Sequence, residues 1–241
     1  MNNNQNNDTK AAPVEVKLTG VRKAIATAMY DSLRSMAQTS DAVELDVTKL
    51  VTLRKSLVAR ADELGCKITI NDLLSFAAVK VMEGCRFANS TFDGETVTEY
   101  SNVNLSMAVG TDFGLMSPVL HDADSMNLVE FSKNLRDLAA RARIKKLRAK
   151  EYSGGTFTVT NMGIHPVDMF NPIINPPQTT IIGFGRCVNK PAVYNDEIAI
   201  RTMMYLSVTY DHRVFDGSGV GLIMSKMKER LEDPNWLKDF I

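Results

Sequence analysis

One histidine in this chain has a setting suited to proton transfer. His212 lies in YDHRVFDG, directly after the stretch Ile198 to Tyr210 and before Gly217. Alternating apolar and polar residues over that stretch read as a long strand, so His212 falls at a strand end, exposed rather than sealed inside. Histidine is the side chain whose proton comes and goes near neutral pH. Asp216, four residues on across the glycine turn, can hold the local geometry. A surface histidine beside a turn aspartate fits the same short string.

Two further stretches invite a chemical reading. In GGTFTVTNMG, strand alternation puts Thr156, Thr158 and Thr160 on one face and Phe157 and Val159 on the other. Three hydroxyls on one face are candidate donors to a substrate oxygen, or simply β-branched residues on a wet sheet face. GFGR, Gly183 to Arg186, lacks the GxGxxG spacing and opens no helix, which makes it a weak phosphate loop. The three histidines, His121, His165 and His212, are far apart. The three cysteines, Cys66, Cys85 and Cys187, have no CxxC spacing. Neither a metal site nor a disulfide framework is expected, and the thiols suit a reducing compartment.

Composition bounds the rest. The 241 residues carry 28 Lys and Arg against 28 Asp and Glu, which argues against a dedicated nucleic-acid binder. No apolar run reaches the roughly 18 residues of a membrane-crossing helix. The start MNNNQNNDTK has no apolar core and no Arg, so it reads as neither a signal nor a transit peptide. Residues 1–17 are expected to be a disordered tail or linker remnant, and residues 18–241 one folded domain.

The elements that must position the chemistry follow from periodicity. Gly20 to Met36 reads as a helix and Ala42 to Val47 as a strand. Thr48 caps a helix that runs to about Leu64 and stops at Gly65. Asn71 caps a buried helix through LLSFAAVKVM. A hairpin turns at Asp93-Gly94, and NLSMAVG and GLMSPVL form strands around Thr111-Asp112. Asn127 opens an amphipathic helix with Leu128, Phe131, Leu135 and Leu138, ending in the basic run RARIKKLRAK. That run reads as a solvated face at a helix C-terminus, where cations suit the dipole, or as an anion site. TFTVT and TIIGFGRCV follow as strands, then the long strand, and a last helix with Val220, Ile223, Met224, Met227 and Leu231 on one face. Strands and helices mix without regular alternation, giving α/β with a mixed sheet.

The strings LTGVRKAIATAM, ELDVTKLVTLRK, GLMSPVLHDAD, GGTFTVTNMG, NPIINPPQTTIIGFGR and MMYLSVTYDHRVFDG, in this order, resemble the catalytic domain of the dihydrolipoamide acyltransferases. These are core subunits of 2-oxo acid dehydrogenase complexes. The resemblance runs from about Leu18 to Trp236. It implies a chloramphenicol-acetyltransferase-like two-layer fold, with a mixed sheet and flanking helices, in a homotrimer or a larger cage of trimers. It implies His212 as general base, removing a thiol proton from CoA or dihydrolipoamide, and Thr160 as the hydroxyl that meets the oxyanion, where the family has serine. Asp216 matches the HxxxDG carboxylate, Arg22 the arginine that pairs with it, and Asn161, Gly163 and Gly217 shape the two turns.

CoA is then a substrate, the lipoyl group comes from another domain or chain, no metal is involved, and the other dehydrogenase subunits are partners; nucleic acid and membrane are not. Family members carry lipoyl and subunit-binding modules before this domain, and only about 17 residues precede it here. The compartment implied is the cytoplasm, or an organelle matrix after import. Trp236, Leu237, Phe240 and Ile241 are apolar enough to dock into a neighbouring trimer, as the family's C-terminal segment does, or to pack on their own subunit. The rival reading is a structural core scaffold with weak or altered activity. The intact DHRVFDG argues against a pure scaffold.

Overall fold

The computed structural model describes residues 13–241. The greater part of the expected tail, residues 1–12, lies outside the described residues, and residues 13–17 have no regular secondary structure and are exposed. Helix α1 (Gly20–Ser35) leads into strand β1 (Gln38–Asp46). The helix expected from Thr48 to Leu64 is two pieces, α2 (Thr48–Ala59) and α3 (Ala61–Leu64), because Arg60 leaves the helical region with ψ 15°. Gly65 then stops α3 at φ 64°, as expected.

Helix α4 (Ile70–Met82) is capped two residues before the expected position. Thr69, not Asn71, is the N-cap, in a reciprocal box with Asp72. The Thr69 hydroxyl accepts from the Asp72 N–H, and the Asp72 carboxylate accepts from the Thr69 N–H at 2.7 Å, so two donors that the helix start leaves open are bonded. Every residue from Asp72 to Met82 is buried, which makes α4 the spine of the helical layer. Phe76 is fully buried among Phe131, Trp236 and Phe240. Burying side chains of that size contributes roughly 1.5–3 kcal/mol each.

Short strands follow: the hairpin β2 (Ser90–Phe92) and β3 (Val97–Glu99), then β4 (Leu105–Met107), β5 (Val109–Thr111), β6 (Gly114–Met116) and β7 (Val119–Leu120). Helix α5 (Leu128–Arg143) is capped by Asn127 as the sequence predicts and buries Leu128, Phe131, Leu135 and Leu138. Its basic end is partly neutralised: Arg141 pairs with Asp137 and Glu151, and Lys145 lies over the Phe113 ring. Then come β8 (Phe157–Asn161), β9 (Thr180–Phe184), β10 (Val188–Tyr194), β11 (Glu197–Asp211) and α6 (Gly217–Glu232).

TIIGFGRCV is not one strand. It breaks after Phe184, where the backbone passes so close to Asp168 that a Cβ on Gly185 would sit 1.8 Å from the Asp168 carbonyl oxygen. GFGR is therefore a structural crossing, and β10 opens a hairpin with β11.

The main sheet runs β1-β11-β9-β8-β4-β7, with β10 also on β11. β8 is parallel to both β4 and β9, and the other pairs are antiparallel, so the sheet is mixed as expected. Leu206, Val208, Tyr210, Ile182, Phe184, Phe157 and Val159 face the helices and build the core. The other face carries Ser207, Thr209, Ser106, Thr156 and Thr158, all buried. Helix α1 buries only Ser32, whose hydroxyl donates to the Ile174 carbonyl at 2.7 Å. The C-terminal 3₁₀ segment Pro234–Phe240 folds back on its own chain: Leu237 is fully buried and the Trp236 ring stacks on Phe76 at 6.0 Å. Trp236 and Phe240 are only partly buried and Ile241 stays exposed.

Candidate active site: two half-sites on one sheet

His212 follows β11 directly and is exposed, as the strand pattern predicts. Its N–H donates to the Ala37 carbonyl at 2.9 Å, which ties the strand end to the residue before β1. The imidazole lies 5.6 Å from the Tyr210 ring, and Tyr210 stacks on Phe215 at 4.9 Å. Phe87, Phe215 and Leu222 help line an open hollow of about 510 Å³ around it.

The flanking residues are clamped. Asp211 is buried and accepts from the Arg213 backbone N–H at 3.1 Å, from Nε at 2.9 Å and from Nη2 at 2.6 Å. The turn that follows β11 folds Arg213 back onto the Asp211 carboxylate. Burial alone would raise the Asp211 carboxyl, but these charged hydrogen bonds outweigh it and hold it below the usual carboxylate value. The sequence reading missed this pair, although the D-x-R spacing was there to be seen.

Asp216 is the N-cap of α6. Its carboxylate accepts from the Ser218 hydroxyl, the Ser218 N–H at 2.9 Å and the Gly219 N–H, and these bonds hold it below its ordinary value. It shapes the turn that Gly217 closes and enters no ion pair among the described residues. Arg22 is likewise without an ion pair there. It lies in the first turn of α1, about 20 Å along the helix axis from Ser35, at about 1.5 Å per residue. The end near Arg22 packs against β6, where Ile25 approaches Gly114, and the Ser35 end leads to Gln38, opposite Asp211. The Arg22–Asp216 pair implied by the resemblance is therefore not formed within one chain.

Thr160 is at the other end of the sheet. Of the three threonines on its face, Thr156 donates to the Asn89 side chain and Thr158 to Gln178, which in turn donates to Ser106 at 2.8 Å. Those two hydroxyls are consumed inside the protein. Thr160 is half-buried and alone of the three has no side-chain partner among the described residues, so it is the one still able to bond a substrate oxygen. Asn161 points the other way, lining a cleft of about 620 Å³ at the carboxyl ends of β4, β8 and β9. Gly163, Met107, Arg136 and Arg143 line it too. The Asn161 side-chain oxygen accepts from the Gly163 N–H at 2.7 Å and fixes the turn.

The strand register measures how far apart the two ends are. Thr160 is level with Gly183, and Gly183 with Ser207, five residues before His212. That is about 16 Å along the strands and two spacings of about 4.8 Å across them. One chain does not bring His212 and Thr160 together.

The description "2-oxoacid dehydrogenases acyltransferase (catalytic domain)" belongs to the family model that matches residues 10–238. The chain belongs to this family. It is 38% identical over 221 residues to the dihydrolipoyllysine-residue acetyltransferase component of the acetoin cleaving system of Bacillus subtilis, covering 91% of this chain and 56% of that protein. The chain spans about half the length of the curated relatives it matches. A solved Azotobacter vinelandii dihydrolipoamide acetyltransferase, investigated for the role of a serine, a histidine and an asparagine in its catalytic mechanism, superposes with a TM-score of 0.89 at 28% identity, covering 94% of each chain. Chloramphenicol acetyltransferase shares the fold, at a TM-score of 0.53 and 13% identity over 84% of this chain and 93% of that one. Both the expected family and the expected fold hold. Among the described residues no helix is long and apolar enough to cross a membrane, and no group of His, Cys, Asp and Glu is arranged to hold a metal ion.

Proposed function

We propose that this chain transfers an acyl group between the thiol of dihydrolipoamide and CoA, as the core of a 2-oxo acid dehydrogenase complex. The observation that carries the reading is the pairing of family membership with an exposed, clamped His212 at one sheet end and an unpartnered Thr160 hydroxyl at the other. His212, as the neutral imidazole, takes the proton of the attacking thiol. The sulfur then adds to the thioester carbonyl, and the tetrahedral oxyanion accepts a hydrogen bond from Thr160. Collapse expels the second sulfur, which recovers the proton from His212. The histidine and asparagine investigated in the Azotobacter enzyme are four positions apart, the spacing of His212 and Asp216.

Because the two groups stand far apart in one chain, the working site is between chains: His212 of one subunit faces Thr160 of the next in a homotrimer. CoA and the lipoyl arm enter the resulting channel from opposite ends. The lipoyl group is supplied in trans by another domain or chain, the remaining dehydrogenase subunits are partners, and the setting is the cytoplasm or an organelle matrix. The threonine in place of serine keeps the hydroxyl while its β-branch restricts χ1. Acyl transfer from acetyl-CoA to free dihydrolipoamide, followed by release of CoA thiol, tests the reading. No turnover by folded protein, with succinyl- and branched acyl-CoA tried as well, would leave the scaffold reading in its place.

A further inference from the structure

The last two residues of β8 are held on one side only. Phe157, Thr158 and Val159 pair with β4, whereas Thr160 and Asn161 pair with β9 alone. From the helix-facing side of the sheet a side-chain bond ties the same strand end to α4. Asn161 Nδ2 donates to Asn71 Oδ1 at 3.1 Å, while Asn161 Oδ1 accepts from the Gly163 N–H. Asn71 is in the first turn of α4, the most deeply buried helix, and the Thr69–Asp72 capping box fixes that turn. A rigid element thus grips the strand end that carries Thr160.

We infer that Asn71 is a positioning residue for acyl transfer: through Asn161 it sets the backbone, and hence the hydroxyl direction, of Thr160. The inference rests on the proposed role of Thr160. A donor aimed at a developing oxyanion acts only when its placement is held to a fraction of an ångström, and an error of about 1 Å costs on the order of 10² in rate. Asn71 lies 89 positions before Thr160 and bonds Asn161 rather than Thr160 itself, so its effect travels through one amide.

The test is a double-mutant cycle with a structural readout. Asn71→Ala is expected to lower kcat about tenfold to a hundredfold with the apparent KM for CoA within about twofold, because the interaction is realised in the transition state. Asn71→Asp keeps the accepting oxygen and is expected to restore most of the rate. In a Thr160→Ala background, Asn71→Ala is expected to cost little more, since the two act as one unit. Hydrogen exchange at the Met162 and Gly163 amides is expected to quicken in Asn71→Ala while the interior of α4 stays protected.

An Asn71→Ala enzyme with parental kcat, or one losing as much in the Thr160→Ala background as in the parent, overturns the inference. So does unchanged exchange at those amides, which can be read even if the parent transfers no acyl group. A parent without turnover, but with quickened exchange in Asn71→Ala, removes the acyltransferase reading while the grip on β8 stands.

Discussion

The two ends of the sheet are built differently. At the His212 end the backbone is overdetermined: β1 is bonded through Ala37, a buried carboxylate clamps Arg213, and Asp216 caps α6 within four residues. At the Thr160 end the strand has lost its β4 neighbour, and one amide bridge to α4 ties it from the helix-facing side of the sheet. In the proposed mechanism the first end presents a ring that accepts and returns a proton from a fixed place. The second presents a short hydroxyl whose aim depends on the backbone beneath it. Each end is held by its own local structure, and on the proposed reading the two combine only across an interface.

This contrast predicts a ranking of substitutions. His212→Ala is expected to have the largest effect, a loss of roughly 10²–10⁴ in acyl transfer with the fold unchanged, because a general base contributes on that scale. Steady-state kinetics beside a circular dichroism spectrum reads both. Thr160→Ala follows, lowering kcat by about 10²–10³ with little change in apparent CoA affinity, while Thr160→Ser stays active. With Thr158 already bonded to Gln178, it is not free to replace the missing hydroxyl, so parental speed in Thr160→Ala would place the oxyanion elsewhere.

Asp211→Asn is expected to lower kcat by about tenfold by loosening the loop around His212. It also carries a pH signature. The Asp211 carboxyl is held below its ordinary value in the folded chain, so its contribution to stability is present above the unfolded pKa, about 3.9, and is lost as pH falls through the lower folded value. The drop in thermal midpoint below about pH 4 should therefore be shallower in Asp211→Asn than in the parent. Asp216→Ala is expected to be the mildest change, lowering the midpoint by a few degrees through loss of the α6 cap, with Asp216→Ser recovering most of it.

What the sequence revealed depended on range. His212 at a strand end, Asn127 as a cap and the apolar stripe of α5 all rest on local periodicity, and all were legible. The Thr156, Thr158 and Thr160 face was legible as well, but not which hydroxyl stays free, because Asn89 and Gln178 reach that face from distant parts of the chain. The break between β9 and β10 was hidden because TIIGFGRCV is apolar nearly throughout, and only the close passage of Asp168 reveals why Gly185 ends the strand. Asn71 looked like a helix cap, which Thr69 supplies instead, leaving the Asn71 amide to grip Asn161.

The central claim is that the proton acceptor and the oxyanion donor of one working site come from different chains. Mixing folded, separately inactive His212→Ala and Thr160→Ala proteins under conditions that exchange subunits tests it directly. Random exchange at equal amounts leaves roughly a quarter of the interfacial sites with both residues intact, so activity is predicted to reappear near that fraction of the parental level. If mass measurement proves that hybrids have formed and activity remains absent, the two residues do not serve one site across an interface.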